Sequence, residues 1–433
     1  MDSVQRVGGD AHETMKRLFG EEVALKYFEH LARPPPTTAR VNTLVTTPEQ
    51  VAEELRALVP EALKGSVAIL ESLPDVVVVQ TLGPIDRSSS NLSKVWVSRK
   101  CGEAVLRGAN IFAPGVMAAE TSLAVGIRVA VYADITDSLT KGSFKNEDNH
   151  PGHYLGNGIA KMDRKMLFHT ERAHGIAIVL DEAVFVAPSL NGIMEDKIYL
   201  QNLPSAVVSH VLDPQPGEYV LDMCASPGGK TTHMAILMGD KGRLVAFDKG
   251  YEKVKDIERN AKRLGLTIIQ AHRNDATKYR KYISESGEVT NGANPPMFAR
   301  ESFDRILVDP PCSALGIRPR LEFSDRLSTD LQQKALFQRN FLRAAVMLLK
   351  PGGVLVYSTC TINPGENESN VRYALDEFPL KLEKPKVRLG EVGVEGMGLS
   401  DEEREMVQRF EPWGRHDTPG FFCARFRKTG EYQ

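Results

Sequence analysis

Cys312 stands in Asp309-Pro310-Pro311-Cys312 and Cys360 in Ser358-Thr359-Cys360, each just after a short apolar run that reads as a buried strand. Both thiols are therefore expected at the carboxyl ends of their strands, the edge of an open parallel sheet where ligands bind. Two thiols meeting at one ligand edge suggest covalent chemistry, with a nucleophile and a second proton-handling group. The competing reading is a pair of inert buried thiols, because free cysteine often behaves as a small hydrophobe. That reading is assigned to the other three cysteines, Cys101, Cys224 and Cys423, with Cys224 meeting a cofactor through its backbone. No CxxC pair occurs, so neither a zinc ribbon nor a disulfide framework is indicated and no metal is expected. Free thiols fit a reducing, intracellular compartment, read here as the cytoplasm.

A second motif lies upstream. Leu221-Asp222-Met223-Cys224-Ala225-Ser226-Pro227-Gly228-Gly229-Lys230-Thr231-Thr232 reads as a strand, a tight glycine turn and a helix start. Paired glycines let the backbone approach a ligand closely, and a helix N-terminus offers free N–H donors. The spacing is not that of a phosphate loop, which needs a glycine where Cys224 stands, and the dinucleotide fingerprint G-x-G-x-x-G is absent. A nucleoside-sized ligand without phosphate fits better. Asp248 ends the second expected strand, 20 residues after Gly228, where an acid binds ribose hydroxyls. Asp275 follows the third and is placed to accept from an adenine amine. Either acid alone reads as a turn cap; two at successive strand ends favour a ligand such as S-adenosyl-L-methionine, which has a ribose, an adenine and no phosphate.

Strands are expected at Tyr219–Met223, Leu244–Phe247, Thr267–Gln270, Arg305–Val308 and Val354–Tyr357, with helices between them, most clearly Leu331–Leu349. This alternation predicts a doubly wound parallel sheet. Phe421–Lys428 is expected to add an antiparallel edge strand. Upstream, Ala11–Leu31 reads as helical, Ala39–Leu44 as a strand, and Thr47 as the cap of an amphipathic helix carrying Val51, Leu55 and Leu58. From Val95 to Val186 short strands recur, interrupted by turn-rich Lys141–Gly158, which suggests a small barrel. The organisation expected is an α+β region over 1–92, a β-barrel domain over 93–184, and a Rossmann-like α/β domain over 185–433.

With 433 residues, 42% hydrophobic and 25% charged, the chain is an ordinary globular sequence with no apolar run long enough for a bilayer, and no membrane partner is expected. The N-terminus shows no signal-peptide pattern. A net charge of −2 does not advertise a polyanion partner, but Lys249–Lys281 holds ten Lys/Arg against four Asp/Glu. Arg99, Lys100 and Arg107, with Lys161, Arg164 and Lys165, form a further basic set. Solvated helix faces and phosphate-contacting surfaces are both open readings of these charges.

The motifs Leu221–Thr231, Asp248, Asp275, Asp309–Cys312 and Tyr357–Cys360, with the lead-in Gln201-Asn202-Leu203, resemble the NSUN (Nop/Sun) family of S-adenosylmethionine-dependent RNA cytosine-5 methyltransferases over roughly Ile198 to Lys428. Ser226 departs from the alanine common there. The segment Glu103–Ile111 with Ala113-Pro114-Gly115-Val116 is similar to the helix and glycine turn of a PUA domain, an RNA-binding fold. A PUA module inserted before a Nop/Sun catalytic domain resembles the sixth branch of the family. That resemblance implies tRNA as substrate, methylated at the acceptor-stem end next to the CCA terminus, with messenger RNAs bearing similar stem-loops left open. A monomer is expected.

The resemblance implies that Cys360 adds to cytosine C6 and that Cys312 helps release the product; the sequence alone does not order them, because DNA cytosine-5 methyltransferases attack with a Pro-Cys cysteine. Asp309 is expected to hold the cytosine edge and Lys230 to orient the base or lower a thiol pKa, with a plain salt bridge as the alternative. The expected cofactor contacts are Cys224, Ala225, Ser226, Pro227, Gly228, Gly229, Lys230, Asp248, Asp275 and Asp309; the RNA contacts are Arg99, Lys100, Arg107 and Lys161. Two other functions compete. A catalytically silent RNA-binding protein is disfavoured by the presence of both cysteines and all three strand-end acids. An exocyclic-amine methyltransferase would carry an aromatic residue where Cys312 stands.

Overall fold

The computed structural model describes residues 9–143, 150, 152–170, 173–281, 283–284, 297–321 and 327–432. An eight-stranded sheet forms the C-terminal half, in the order Ile269–Arg273, Arg243–Asp248, Tyr219–Asp222, Phe303–Val308, Leu349–Thr359, Phe421–Lys428 and Leu380–Leu382, with Val407–Phe410 also pairing to Phe421–Lys428. The first five strands are parallel. The strand order reverses on either side of Tyr219–Asp222, and at such a switch point the crevice beyond the carboxyl ends binds ligand.

The central strands are apolar along their length because helices cover both faces. Leu203–Leu212 and Gly229–Leu237 pack on one side, and Leu327–Leu348 on the other. Leu203–Leu212 is buried on nearly every side, and Asn202 caps it by accepting from Ser205 N–H at 3.0 Å. The third strand begins two residues later than expected. Phe421–Lys428 is antiparallel as expected but is not an edge strand: it pairs with Leu349–Thr359 on one side and with Leu380–Leu382 and Val407–Phe410 on the other. Its burial on both faces follows, and explains why its alternation was weak.

Upstream, Ala11–Leu31 is not one helix but two, Gly9–Phe19 and Glu21–Leu31, broken at Gly20, which takes a φ of +82° that other residues rarely adopt. Thr47 caps Pro48–Leu58 in a capping box with Gln50. A four-stranded antiparallel sheet runs Ile198–Leu200, Thr37–Val41, Leu73–Val79, Ala68–Leu70. Its strands Leu73–Val79 and Ile198–Leu200 come before and after the β-rich segment, so the latter is spliced into the sheet.

The β-rich segment is a six-stranded sheet in the order Ile111–Phe112, Ile176–Ala183, Gly152–Ala160, Arg128–Asp134, Ser93–Ser98, Val116–Ala119, curled around its own apolar core of Val97, Leu106, Val131 and Ile178. Lys141–Gly158 is not turn-rich throughout. Its latter part belongs to the nine-residue strand Gly152–Ala160, in which Gly156 and Gly158 sit where an added Cβ would strike the neighbouring strand's backbone. Residues 144–149 and 151 of that stretch lie outside the described residues. No helix among the described residues is long and apolar enough to cross a membrane.

Candidate active site

The two cysteines meet. Phe303–Val308 and Leu349–Thr359 are parallel neighbours, so the loops leaving their carboxyl ends start side by side, and Cys312 Sγ and Cys360 Sγ lie 3.1 Å apart as free thiols. Two further contacts fasten the loops. Ser313 and Thr361 share a hydroxyl hydrogen bond at 2.7 Å, and Gly316 N–H donates to the Cys360 carbonyl at 3.0 Å. Gly316 in turn accepts from Gly420 N–H at 2.8 Å, in a crossing so close that a Cβ on Gly316 would lie 1.7 Å from the Gly420 oxygen.

The environment makes the sulfurs unequal. The hydrogen bond with Cys312 lowers the Cys360 pKa from the ordinary thiol value, and the Lys230 ammonium adds to this against burial and the Asp309 charge. The same hydrogen bond, burial and the charges of Cys360 and Glu366 hold Cys312 well above the ordinary value. These effects favour the negative charge of the pair on Cys360 over Cys312, and the thiolate is the reactive form of a cysteine. Cys224 and Cys423 are pushed up by burial, to about 12 for Cys423, as is Cys101, to about 11.

Lys230 and Asp309 complete the group. Lys230 Nζ donates to Asp309 Oδ2 at 2.7 Å, and Ser358 Oγ donates to Oδ1 at 2.7 Å. Burial pulls Lys230 down, but the charge and hydrogen bond of Asp309 outweigh it and keep the ammonium ionised. The expected lysine salt bridge thus exists, and it lies within the electrostatic reach of Cys360.

The glycine loop lines the same edge. An open cleft of about 570 Å³ is bounded by Tyr199, Gln201, Asn202, the loop residues Cys224–Pro227, Lys230 and Asp309. Gly228 has φ +103° and an added Cβ would sit 3.3 Å from Ile257 Cα, so the turn needs glycine; a Cβ on Gly229 would press 3.1 Å from the Tyr199 ring. The helix Gly229–Leu237 has no side-chain cap, leaving its first N–H groups for a ligand. Asp248 ends its strand with one carboxylate oxygen receiving Gly250 N–H at 3.1 Å. Asp275 is occupied locally, accepting from Thr277 N–H and from its hydroxyl at 2.6 Å. Between the two acids Asn274 is buried with both amide atoms unpartnered among the described residues. A buried amide without partners calls for an explanation, and a ligand held between the two acids is one that would supply them. A glycine cradle, a strand-end carboxylate and an orphaned amide fit a nucleoside such as that of S-adenosylmethionine.

Several residues of the site were not anticipated. Burial lifts the Asp222 carboxyl to about 7, although Thr231 Oγ1 donates to it at 2.7 Å. Tyr199 and Arg40 come from the N-terminal sheet: Arg40 is buried, donates to Gln201 Oε1 at 3.0 Å and Thr232 Oγ1 at 2.9 Å, and stacks over Tyr199. Asp75 of the same sheet joins His210 and His233 at 2.9 and 2.7 Å, pinning that sheet to the helices Leu203–Leu212 and Gly229–Leu237. The hydrogen bonds of Arg40 and Asp75 link residues more than a hundred positions apart and leave no local signal.

The basic residues separate into two kinds. Lys100 and Lys161 are exposed. Arg107 lines an open cleft of about 1160 Å³ shared with Pro36, Gln201, Asn202, Arg318 and Pro419. Arg99 is paired with Asp137 at 2.9 Å, and Arg164 is bound to the Ala119 and Gly142 carbonyls, which makes it a clip within the β-rich domain. In the helix Tyr251–Arg263, Arg263 is similarly tied to the carbonyls of Glu195 and Ile198.

Residues 209–427 match the family model described as 16S rRNA methyltransferase RsmB/F, and residues 93–180 match the PUA domain. The chain is 42% identical over 403 residues to the Homo sapiens protein named tRNA (cytosine(72)-C(5))-methyltransferase NSUN6, spanning 91% of this chain and 84% of that one. It is 34% identical over 437 residues to the tRNA (cytosine(72)-C(5))-methyltransferase of Pyrococcus horikoshii, covering 99% of each. The crystal structure of NSun6 from Pyrococcus horikoshii with SFG, an S-adenosylmethionine analogue, matches with a TM-score of 0.81 and 33% identity, over 98% of this chain and 99% of that one. With its cysteine pair, its glycine cradle and its RNA-binding module accounted for together, this chain belongs to the NSUN (Nop/Sun) and RsmB/F family of S-adenosylmethionine-dependent RNA cytosine-5 methyltransferases.

Proposed function

We propose that the chain methylates C5 of a cytosine at the acceptor-stem end of tRNA, next to the CCA terminus, through a transient bond between Cys360 and base C6. The observation that carries the reading is the unequal cysteine pair, 3.1 Å apart beside Lys230 and Asp309. The tRNA substrate is supported by the names of the relatives and by the PUA module.

Cytosine C5 is a poor nucleophile. Bonding of the Cys360 sulfur to C6 makes an enamine whose C5 can attack an electrophilic carbon. Asp309, on the same edge, holds the N3 side of the base in its protonated form while negative charge moves into the ring. Bound S-adenosylmethionine supplies the methyl group. Loss of the C5 proton to a base then re-forms the C5–C6 double bond and breaks the C6–S bond. Cys312 assists by donating again to the departing Cys360 thiolate. The target base must leave its stack, and a terminal stem pair frays at low cost. Arg107, Lys100 and Lys161 are proposed phosphate contacts, reading an RNA end by shape and backbone.

Two single variants test the chemistry on a tRNA transcript with S-adenosylmethionine. Cys312→Ala is expected to accumulate a protein–RNA adduct stable to denaturing gels, and Cys360→Ala to give none. The reverse pattern would exchange the roles, and no adduct in either would sink the covalent route. In the same assay, a transcript lacking CCA is expected to be a poor substrate; undiminished methylation of it would remove the proposed docking.

A further inference from the structure

Glu366 is a buried carboxylate that the reaction as described does not use. It is 0% exposed. Among the described residues only neutral donors meet it: Ser313 N–H at 3.0 Å and Gln338 Nε2 at 2.7 Å on one oxygen, and Asn363 Nδ2 at 3.1 Å on the other. All three partners are N–H groups, the donors that a carboxylate's two oxygens accept from. Its neighbour Glu368, by contrast, is neutralised by Arg409 at 2.9 Å.

The donors are not arbitrary. Ser313 follows Cys312, and Gln338 also donates to the carbonyl of Pro311, which precedes it, at 3.1 Å. Gln338 is fixed in turn by the Tyr357 hydroxyl at 2.8 Å and by Asn370 at 3.0 Å. Both backbone neighbours of Cys312 are thus tethered to one anion. The charged groups facing the sulfurs are arranged unevenly: Lys230 and Asp309, already paired with each other, act on Cys360, while the Glu366 charge acts on Cys312. The Tyr357 phenol lies behind and stays neutral through burial.

We propose that Glu366 is the positioning residue that orders the two cysteines: its hydrogen bonds fix the Cys312 loop and set a carboxylate, with no cation against it among the described residues, on the Cys312 side of the pair. The proposal rests on the reading in which Cys360 attacks. An anion beside Cys312 disfavours a second anion on that sulfur, so the negative charge of the pair resides on Cys360. Replacing the carboxylate by a neutral amide of the same shape removes that bias.

The test is limited alkylation with iodoacetamide at neutral pH on the full chain, with the two cysteine peptides quantified by mass spectrometry. In the native protein the label is expected first on Cys360. In Glu366→Gln the share on Cys312 is expected to rise by at least ~5-fold, because alkylation follows the thiolate. Glu366→Asp keeps the charge and is expected to retain the native label bias even where turnover falls. Label going first to Cys312 in the native protein overturns the order of the cysteines and this inference with it. A bias toward Cys360 that survives Glu366→Gln overturns this inference alone. Should Glu366→Gln fail to fold, Gln338→Met removes the Pro311 tether and leaves the charge. It is expected to lower kcat by ~10-fold with S-adenosylmethionine affinity and label bias intact, as misplacement of a reacting loop does, and unchanged turnover would overturn the positioning role.

Discussion

Gly316→Ala should separate methyl transfer from cofactor binding. The substituted methyl would lie 1.7 Å from the Gly420 oxygen and 2.3 Å from its carbon, well inside the 3.4 Å at which ordinary contact begins. The obstacle is backbone on backbone, and Gly420 is itself boxed by Ile362 Cγ2, 2.4 Å from where its own Cβ would be. Relief therefore requires the Cys312 loop to move by roughly 1.5 Å, and overpacking of this kind costs about 1–3 kcal/mol. The two hydrogen bonds of Gly316, to the Cys360 carbonyl at 3.0 Å and from Gly420 N–H at 2.8 Å, are strained or broken, at about 1 kcal/mol each. A stability loss of about 3–5 kcal/mol is expected from these two effects together. The larger effect is on chemistry: Cys312 is four positions from Gly316 and 3.1 Å from Cys360, and a displacement near 1 Å in a reacting group costs about 100-fold. The glycine cradle at Gly228 lies after a different strand and does not share these contacts. The assay is single-turnover methyl transfer to tRNA transcript beside S-adenosylmethionine affinity by calorimetry. Expected are a rate at least ~100-fold lower and an affinity within ~3-fold of native. Gly65→Ala, which meets nothing within 4 Å, is the control. A folded Gly316→Ala protein with native rate would refute the claim that this crossing sets the sulfur geometry.

Two other outcomes follow from charge. Asp222 is buried with its pKa raised from 3.8 to about 7, so the folded chain holds a proton that the unfolded chain releases; that stability is full below pH 3.8 and is lost as pH rises through about 7. Asp222→Asn should flatten this slope, worth at most about 4 kcal/mol, and urea midpoints that fall equally with pH in both proteins would contradict it. Lys100→Glu with Lys161→Glu should weaken tRNA binding and flatten the dependence of log affinity on log salt by about one unit for each phosphate that is no longer neutralised. Arg164→Ala, which unclips two carbonyls, should lower the melting temperature instead. An unchanged salt slope in the double variant would place the RNA elsewhere.

What the sequence made legible was local. Strand ends, the glycine turn and the paired cysteines each lie within a dozen residues, and a parallel alternation forces their carboxyl ends to one side, so Cys312, Cys360, Asp309 and Lys230 were expected together and lie together. The sequence misled where pairing is non-local. Gly156 and Gly158 read as turn residues because glycine favours turns, yet their missing side chains admit the neighbouring strand. Phe421–Lys428 read as an edge because its outer side is covered by two short strands earlier in the chain, Leu380–Leu382 and Val407–Phe410. Asn274 and Glu366 carry no motif of their own; one is notable for lacking partners and the other for the donors it gathers, and neither property exists before the chain is folded.

The splice of the PUA module into the small N-terminal sheet has a mechanical consequence. Leu73–Val79 and Ile198–Leu200 flank the same strand, Thr37–Val41, and the next strand after the module holds Tyr199, which packs on the cofactor turn. A module returned at both its ends to one sheet, with Glu103 accepting from Leu321 N–H of the catalytic domain, is restrained against swinging like a bead on a string. It acts as a jig. On the proposed reading, an RNA end gripped there presents a nucleotide to Cys360 at a span fixed by the protein. The enzyme then chooses its target by counting inward from the held terminus, and a nucleotide added or removed between an intact CCA end and the target would shift the methyl group by one position.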